Sequence, residues 1–160
     1  MPMKVAPLAI ALASAALLIG ALLFQYVGGL APCPLCVWQR WPHGAVILLG
    51  VAAFVWPAAA RLLLFAAGAA AAASAGIGVY HVGVEQGWFQ ATASCGATGT
   101  ATNLAELRQQ ILTAPTARCT DVPWALFGIS LAGYNALFSA ALAAASWRLA
   151  AGARPRDNRS

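Results

Sequence analysis

Charge is what this sequence has least of. Only 8% of its 160 residues are Asp, Glu, Lys or Arg, against about 25% in soluble domains, while 61% are hydrophobic. A water-facing surface cannot be assembled from so few charges, which excludes an ordinary soluble enzyme or binding module. Acidic residues are scarcest, four against nine basic ones. The chain also lacks a haem-attachment Cys-x-x-Cys-His, a Rossmann glycine fingerprint and any iron–sulfur cysteine spacing. No repeat of solenoid period is present, and nothing marks a second domain.

What is present is long neutral sequence. The few charges leave four uninterrupted runs, Pro7 to Tyr26, Trp41 to Ala60, Leu62 to Tyr80 and Pro123 to Trp147. Each is close to the ~20 residues a helix needs to cross a bilayer core. Unpaired backbone is too costly in lipid for these runs to be loops. The expectation is an all-α integral membrane protein, a single domain over 1–160 built as a four-transmembrane-helix bundle with spans near 7–26, 42–60, 62–80 and 123–147. Lys4 before an apolar stretch resembles a signal peptide, but this neutral core is longer than the 7–15 residues usual there, so it is read as a span. Leu30-Ala31-Pro32-Cys33 resembles a lipoprotein cleavage box, against which the proline before the cysteine argues.

Orientation follows from the basic residues. Four spans put both termini and the turn at Arg61 on one side, with Lys4, Arg61, Arg148, Arg154, Arg156 and Arg159; the other side holds only Arg40, Arg108 and Arg118. The positive-inside bias then sets the termini and the 148–160 tail in the cytoplasm, and segments 27–41 and 81–122 outside, in the periplasm of a bacterium. The net charge of +5 is a topology signal and calls for no nucleic acid.

The second external segment alone resembles soluble sequence. Glycine, serine and threonine dominate Thr92 to Thr102, as in a loop. Asn103 is placed to cap a helix with Glu106 three residues on; Leu104, Leu107 and Ile111 share one face before Pro115 ends it. Such a short amphipathic helix suits the membrane surface, or is a plain loop helix. The third neutral run is rich in alanine and glycine, whose small side chains allow close packing inside a bundle.

All four cysteines fall in the external segments, Cys33 and Cys36 in the first, Cys95 and Cys119 in the second, on the side where disulfides form and persist. A zinc site usually takes two close Cys-x-x-Cys pairs, whereas Cys95 and Cys119 lie 24 positions apart with no histidine between them. No metal is expected. A structural disulfide suits Cys95 and Cys119, because closing that loop stabilises by ~3 kcal/mol. The ring closed by Cys33 and Cys36 is too small for that role, and redox chemistry explains the pair better. Pro34 suits the first turn of a helix capped by Cys33, and a helix N-terminus or a nearby arginine favours the thiolate. On such a helix Cys36 and Arg40 share a face. Arg40 then stabilises a Cys36 thiolate or an electron-rich ligand beside it; the alternative is a snorkelling interfacial arginine. Trp38 and Trp41 suit the headgroup level. A lipid-soluble acceptor reaching the helix ends fits a site at the bilayer surface.

The stretch "APCPLCVWQRWPH" resembles the signature of the disulfide bond formation protein B (DsbB) family, with weaker similarity in "YHVGVEQGW" and "RCTDVPWALFGISLAGYNAL". The resemblance covers nearly the whole chain apart from the C-terminal tail. It implies an inner-membrane, quinone-dependent thiol oxidase that reoxidises a periplasmic DsbA-like oxidoreductase, the system that keeps the bacterial periplasm oxidising. By resemblance, Cys95 and Cys119 form the loop disulfide, and the partner's thiolate attacks Cys95. Cys119 then engages Cys33, and Cys36 is released to face ubiquinone or menaquinone. Arg40 matches the arginine that assists the quinone, and His81 roughly matches a quinone-side histidine. The alternative for His81 is an interfacial histidine bonded to backbone. His43 receives no role, and Glu85 is read as a solvated loop carboxylate.

Neighbouring readings are a paralogous oxidase for a dedicated partner and a quinone reductase of the vitamin K epoxide reductase type, whose Cys-x-x-Cys normally lies on a late helix. A different class is a non-catalytic membrane scaffold with two structural disulfides.

Overall fold

The computed structural model describes residues 5–92, 95, 103–113 and 117–152, and α-helix dominates them. Lys4, Arg154, Arg156 and Arg159, on which the orientation argument leans, lie outside the described residues, as does most of the Thr92 to Thr102 segment and Pro115. Four long helices, α1 (Ala6–Tyr26), α2 (Pro34–Val55), α3 (Ala60–Glu85) and α5 (Leu131–Gly152), pack together, with the short α4 (Leu104–Thr113) outside them. The α1 helix and the stretch from Pro57 to Glu85 are long and apolar enough to cross a bilayer.

The alanine-rich α3 is the centre of the bundle, against α2 on one side and α5 on the other, while α1 lies chiefly on α2. Small residues set these distances. A Cβ on Gly78 would stand 3.0 Å from the Ala136 side chain on α5, and one on Gly50 would stand 3.0 Å from the Pro7 carbonyl on α1. Ile10, Val46, Leu64, Ala67, Ala71 and Leu142 fill the buried apolar core between the four helices. Without a hydrophobic drive between helices in lipid, such close approach and interhelical hydrogen bonds must hold the bundle.

Two boundaries differ from the neutral runs. The α2 helix starts at Pro34, eight residues before the expected span, because Cys33 caps it and Pro34 is preorganised for its first turn; it continues through Pro42. The last run does not begin as a helix. Ala125–Leu126 (β1) and Ile129–Ser130 (β2) pair antiparallel through a turn in which Phe127 and Gly128 both have positive φ, 51° and 79°, as a two-residue hairpin requires. Only then does α5 begin. In α4 the Glu106 N–H donates to Asn103 Oδ1 at 2.8 Å, the expected cap. Leu104 and Leu112 are exposed, whereas the side chains of Leu107 and Ile111 lie outside the described residues.

Candidate functional site

Cys33 sits at the N-cap of α2 with extended backbone, and its Sγ accepts from the Cys36 N–H at 3.3 Å. One turn brings both free thiols together above the expected start of the span, with Cys33 Sγ donating to Cys36 Sγ at 3.1 Å. That shared hydrogen pulls the Cys36 thiol down to about 7; the capping backbone and the Arg40 guanidinium act in the same direction, against burial. Donating the hydrogen, together with burial, pushes Cys33 up. Cys36 is thus the sulfur that ionises first, as a nucleophile or electron donor must.

Arg40 lies one turn further along α2, and its Nη1 donates to Gln25 Oε1 at the end of α1. Its Nε is the one buried side-chain polar atom with no hydrogen-bond partner among the described residues. A cavity of about 350 Å³ opens between α1, α2 and α5, lined by Cys36, Gln39 and Arg40 of α2, Asn135 of α5, and the aromatic rings of Phe24 and Trp124. It is largely apolar, with a few convergent polar groups, the usual make-up of a small-molecule site.

His81, on the last turns of α3, is 2% exposed and lies on the other side of the cysteine pair. Its Nε2 is 3.5 Å from Cys33 Sγ, and its Nδ1 is 2.9 Å from Gln39 Nε2. It is not among the residues lining the cavity. His81 is buried and bonded to side chains as well as to the backbone of Cys119, so it is more than an interfacial histidine, and Glu85 is no solvated loop carboxylate. The Glu85 side chain is 3% exposed, accepts from Ser130 Oγ, and approaches His81 Nε2 to 3.9 Å. Burial inside the α3 end, rather than in the loop beyond it, accounts for both corrections.

A polar network runs beneath the site. Asn135 on α5 donates to Gln39 Oε1 at 2.7 Å and accepts from His43 Nε2 at 2.9 Å. Ser14, Ser74 and Ser139 complete it from α1, α3 and α5. His43, which sequence reasoning left without a role, is the hub, and Gln39 and Asn135 were missed altogether. For His43 and Asn135 the available signal was their polarity inside otherwise neutral runs, since polar side chains in a membrane segment face partners rather than lipid, whereas Gln39 precedes the second run.

Cys95 and Cys119 form a disulfide, and both are buried in one cluster with Cys33 and Val84. The fold therefore brings all four cysteines and His81 together, with Arg40 on the cavity side. Cys33, Cys36 and His81 offer three ligand atoms within 4.8 Å of one another.

The chain matches the family model described as disulfide bond formation protein DsbB over residues 3–149. It is similar to a disulfide bond formation protein B of Herminiimonas arsenicoxydans, 38% identical over 111 residues, covering 69% of this chain and 64% of that one. Another, from Polaromonas, is 31% identical over 158 residues, covering 89% and 87%. One from Dechloromonas aromatica is 34% identical over 128 residues, covering 72% of each. No solved structure matches.

Proposed function

Since the chain belongs to the disulfide bond formation protein B (DsbB) family, a family of membrane thiol oxidoreductases, we propose that it reoxidises a periplasmic DsbA-like partner and passes the electrons to a membrane quinone. In this reading all four long helices cross the inner membrane, the termini are cytoplasmic, and both cysteine segments face the periplasm. The observation that carries it is the cavity lined both by Cys36, the sulfur that ionises first, and by Arg40, whose Nε–H has no partner among the described residues. A buried donor left without an acceptor costs about 1–3 kcal/mol, so this cavity favours a ligand with a carbonyl oxygen.

A quinone fits that chemistry: it is flat and apolar with carbonyl acceptors, and when bound it takes up two electrons and two protons. Arg40, fixed by Gln25, would hold an acceptor oxygen; Cys36 would present its thiolate to the same space, which Gln39 and Asn135 also line. Cys95 and Cys119 carry the exchange with the partner, whose thiolate attacks Cys95 through a mixed disulfide. The adjacency of the Cys95–Cys119 disulfide to Cys33 supports transfer between the pairs by direct exchange. Two free thiols at Cys33 and Cys36 speak against a scaffold with two structural disulfides.

The test is stoichiometric. Purified protein, reduced DsbA-type partner and ubiquinone, mixed without oxygen, should form one partner disulfide per quinone reduced. Partner oxidation with no quinone consumed would remove the proposal. Cys119→Ser should accumulate the mixed disulfide on Cys95, and its appearance on Cys33 instead would reverse the assignment of the pairs.

A further inference from the structure

His81 faces Cys33, not the cavity, and its tautomer can be read from its neighbours. The Leu35 carbonyl can only accept a hydrogen bond, and Gln39 Nε2 lies 3.2 Å from it, so this end of the Gln39 amide is the NH₂ group. The other end agrees, since Gln39 Oε1 accepts from Asn135 Nδ2. The same NH₂ therefore donates to His81 Nδ1 at 2.9 Å. A neutral imidazole that accepts at Nδ1 carries its hydrogen on Nε2. That N–H faces Cys33 Sγ at 3.5 Å, with the Glu85 carboxylate at 3.9 Å, and the ring also donates to the backbone of Cys119, so the N–H is shared among acceptors. Cys33 Sγ also receives the Cys36 backbone N–H at 3.3 Å. Two N–H groups thus converge on one sulfur. The same orientation leaves no lone pair on Nε2, so the Cys33, Cys36 and His81 cluster is poorly suited to a metal ion.

We infer that His81 acts on the sulfur of Cys33 during exchange between the two cysteine pairs, and that Gln39 is the positioning residue that holds His81 as an Nε2–H donor. This rests on the proposed relay and specifies one step of it. Once Cys119 is bonded to Cys33, the Cys95 thiolate attacks Cys119. The Cys95–Cys119 bond forms, the Cys119–Cys33 bond breaks, and the electron pair stays on Cys33. Once the inner sulfurs take up the two protons that the partner's thiols release on becoming a disulfide, the product is the arrangement seen here, an outer disulfide beside two inner thiols. The charge arriving on Cys33 is met by the His81 Nε2–H and the Cys36 N–H, and the imidazole hydrogen stays on the ring.

The test separates exchange from quinone binding. The fully oxidised full-length protein is mixed with reduced DsbA-type partner without quinone and quenched in acid, and the appearance of free Cys33 and Cys36 is timed; KM for ubiquinone is measured separately. His81→Phe should slow the exchange about ten-fold or more, the loss expected for a hydrogen bond to a charged sulfur, and leave KM for ubiquinone unchanged. His81→Gln, which keeps an N–H donor, should recover part of the rate. Unchanged exchange with a raised KM would make His81 a quinone ligand and overturn the inference. Nitrogen-15 NMR of the histidine-labelled wild type should show an unprotonated Nδ1 for His81, with that preference weakened in Gln39→Met; a protonated Nδ1 in the wild type would also overturn it. If the quinone reading itself were wrong, turnover with ubiquinone would fail in the wild type, while the exchange and NMR measurements would still report on His81.

Discussion

Cys36 is the residue on which the chemistry converges. Its thiol, held near 7 by the hydrogen shared from Cys33, is about half thiolate at neutral pH, whereas an ordinary cysteine at about 8.5 is almost wholly protonated there. The sign is simple: raising the pH through 7 deprotonates Cys36, so its reaction with iodoacetamide should rise to half-maximum near pH 7. In Arg40→Ala that midpoint should move up, because removing a cation disfavours the thiolate; an unmoved midpoint would leave Arg40 without electrostatic contact with the sulfur. Arg40→His should also raise KM for quinone, and an unchanged value would return Arg40 to the role of interfacial anchor. These residues were legible in sequence because Cys-x-x-Cys followed by arginine one turn later is a short-range pattern. Gln39 and Asn135 were not, since their meaning lies in contacts 96 positions apart.

At the scale of elements, two devices hold the helices: small residues and one buried polar network. Gly50 allows α1 to approach α2, so Gly50→Leu must push against the Pro7 carbonyl and should destabilise by about 1–3 kcal/mol, read as a lower thermal midpoint in detergent. Asn135→Leu leaves Gln39 and His43 each short of a partner and should cost a comparable 1–3 kcal/mol. A midpoint equal to wild type for Asn135→Leu would mean that the network carries no stability. The helical character of the neutral runs, the packing of α3 and the cap of α4 could be read from hydropathy, small residues and Asn103. The hairpin before α5 could not, because Pro123 to Ser130 is as neutral as the helix that follows and its turn places a phenylalanine, not an asparagine, at positive φ. The early start of α2 was half legible in Cys33-Pro34 and obscured by Pro42.

For the whole molecule, the arrangement separates two tasks. Apolar length marks a membrane protein, and the fold stacks the outer disulfide, Cys33 and the cavity-lining Cys36 in sequence. In the proposed function that stack would carry electrons from partner to acceptor, with His81 beside Cys33 and Arg40 lining the cavity with Cys36. The family resemblance assigned both residues to the quinone; of the two, Arg40 lines the cavity and His81 contacts Cys33. The most direct measurement follows quinone reduction by the purified full-length protein with reduced DsbA-type partner, wild type beside Cys36→Ser. Steady turnover by the wild type and its abolition in Cys36→Ser is the predicted result; full turnover by Cys36→Ser would contradict the account.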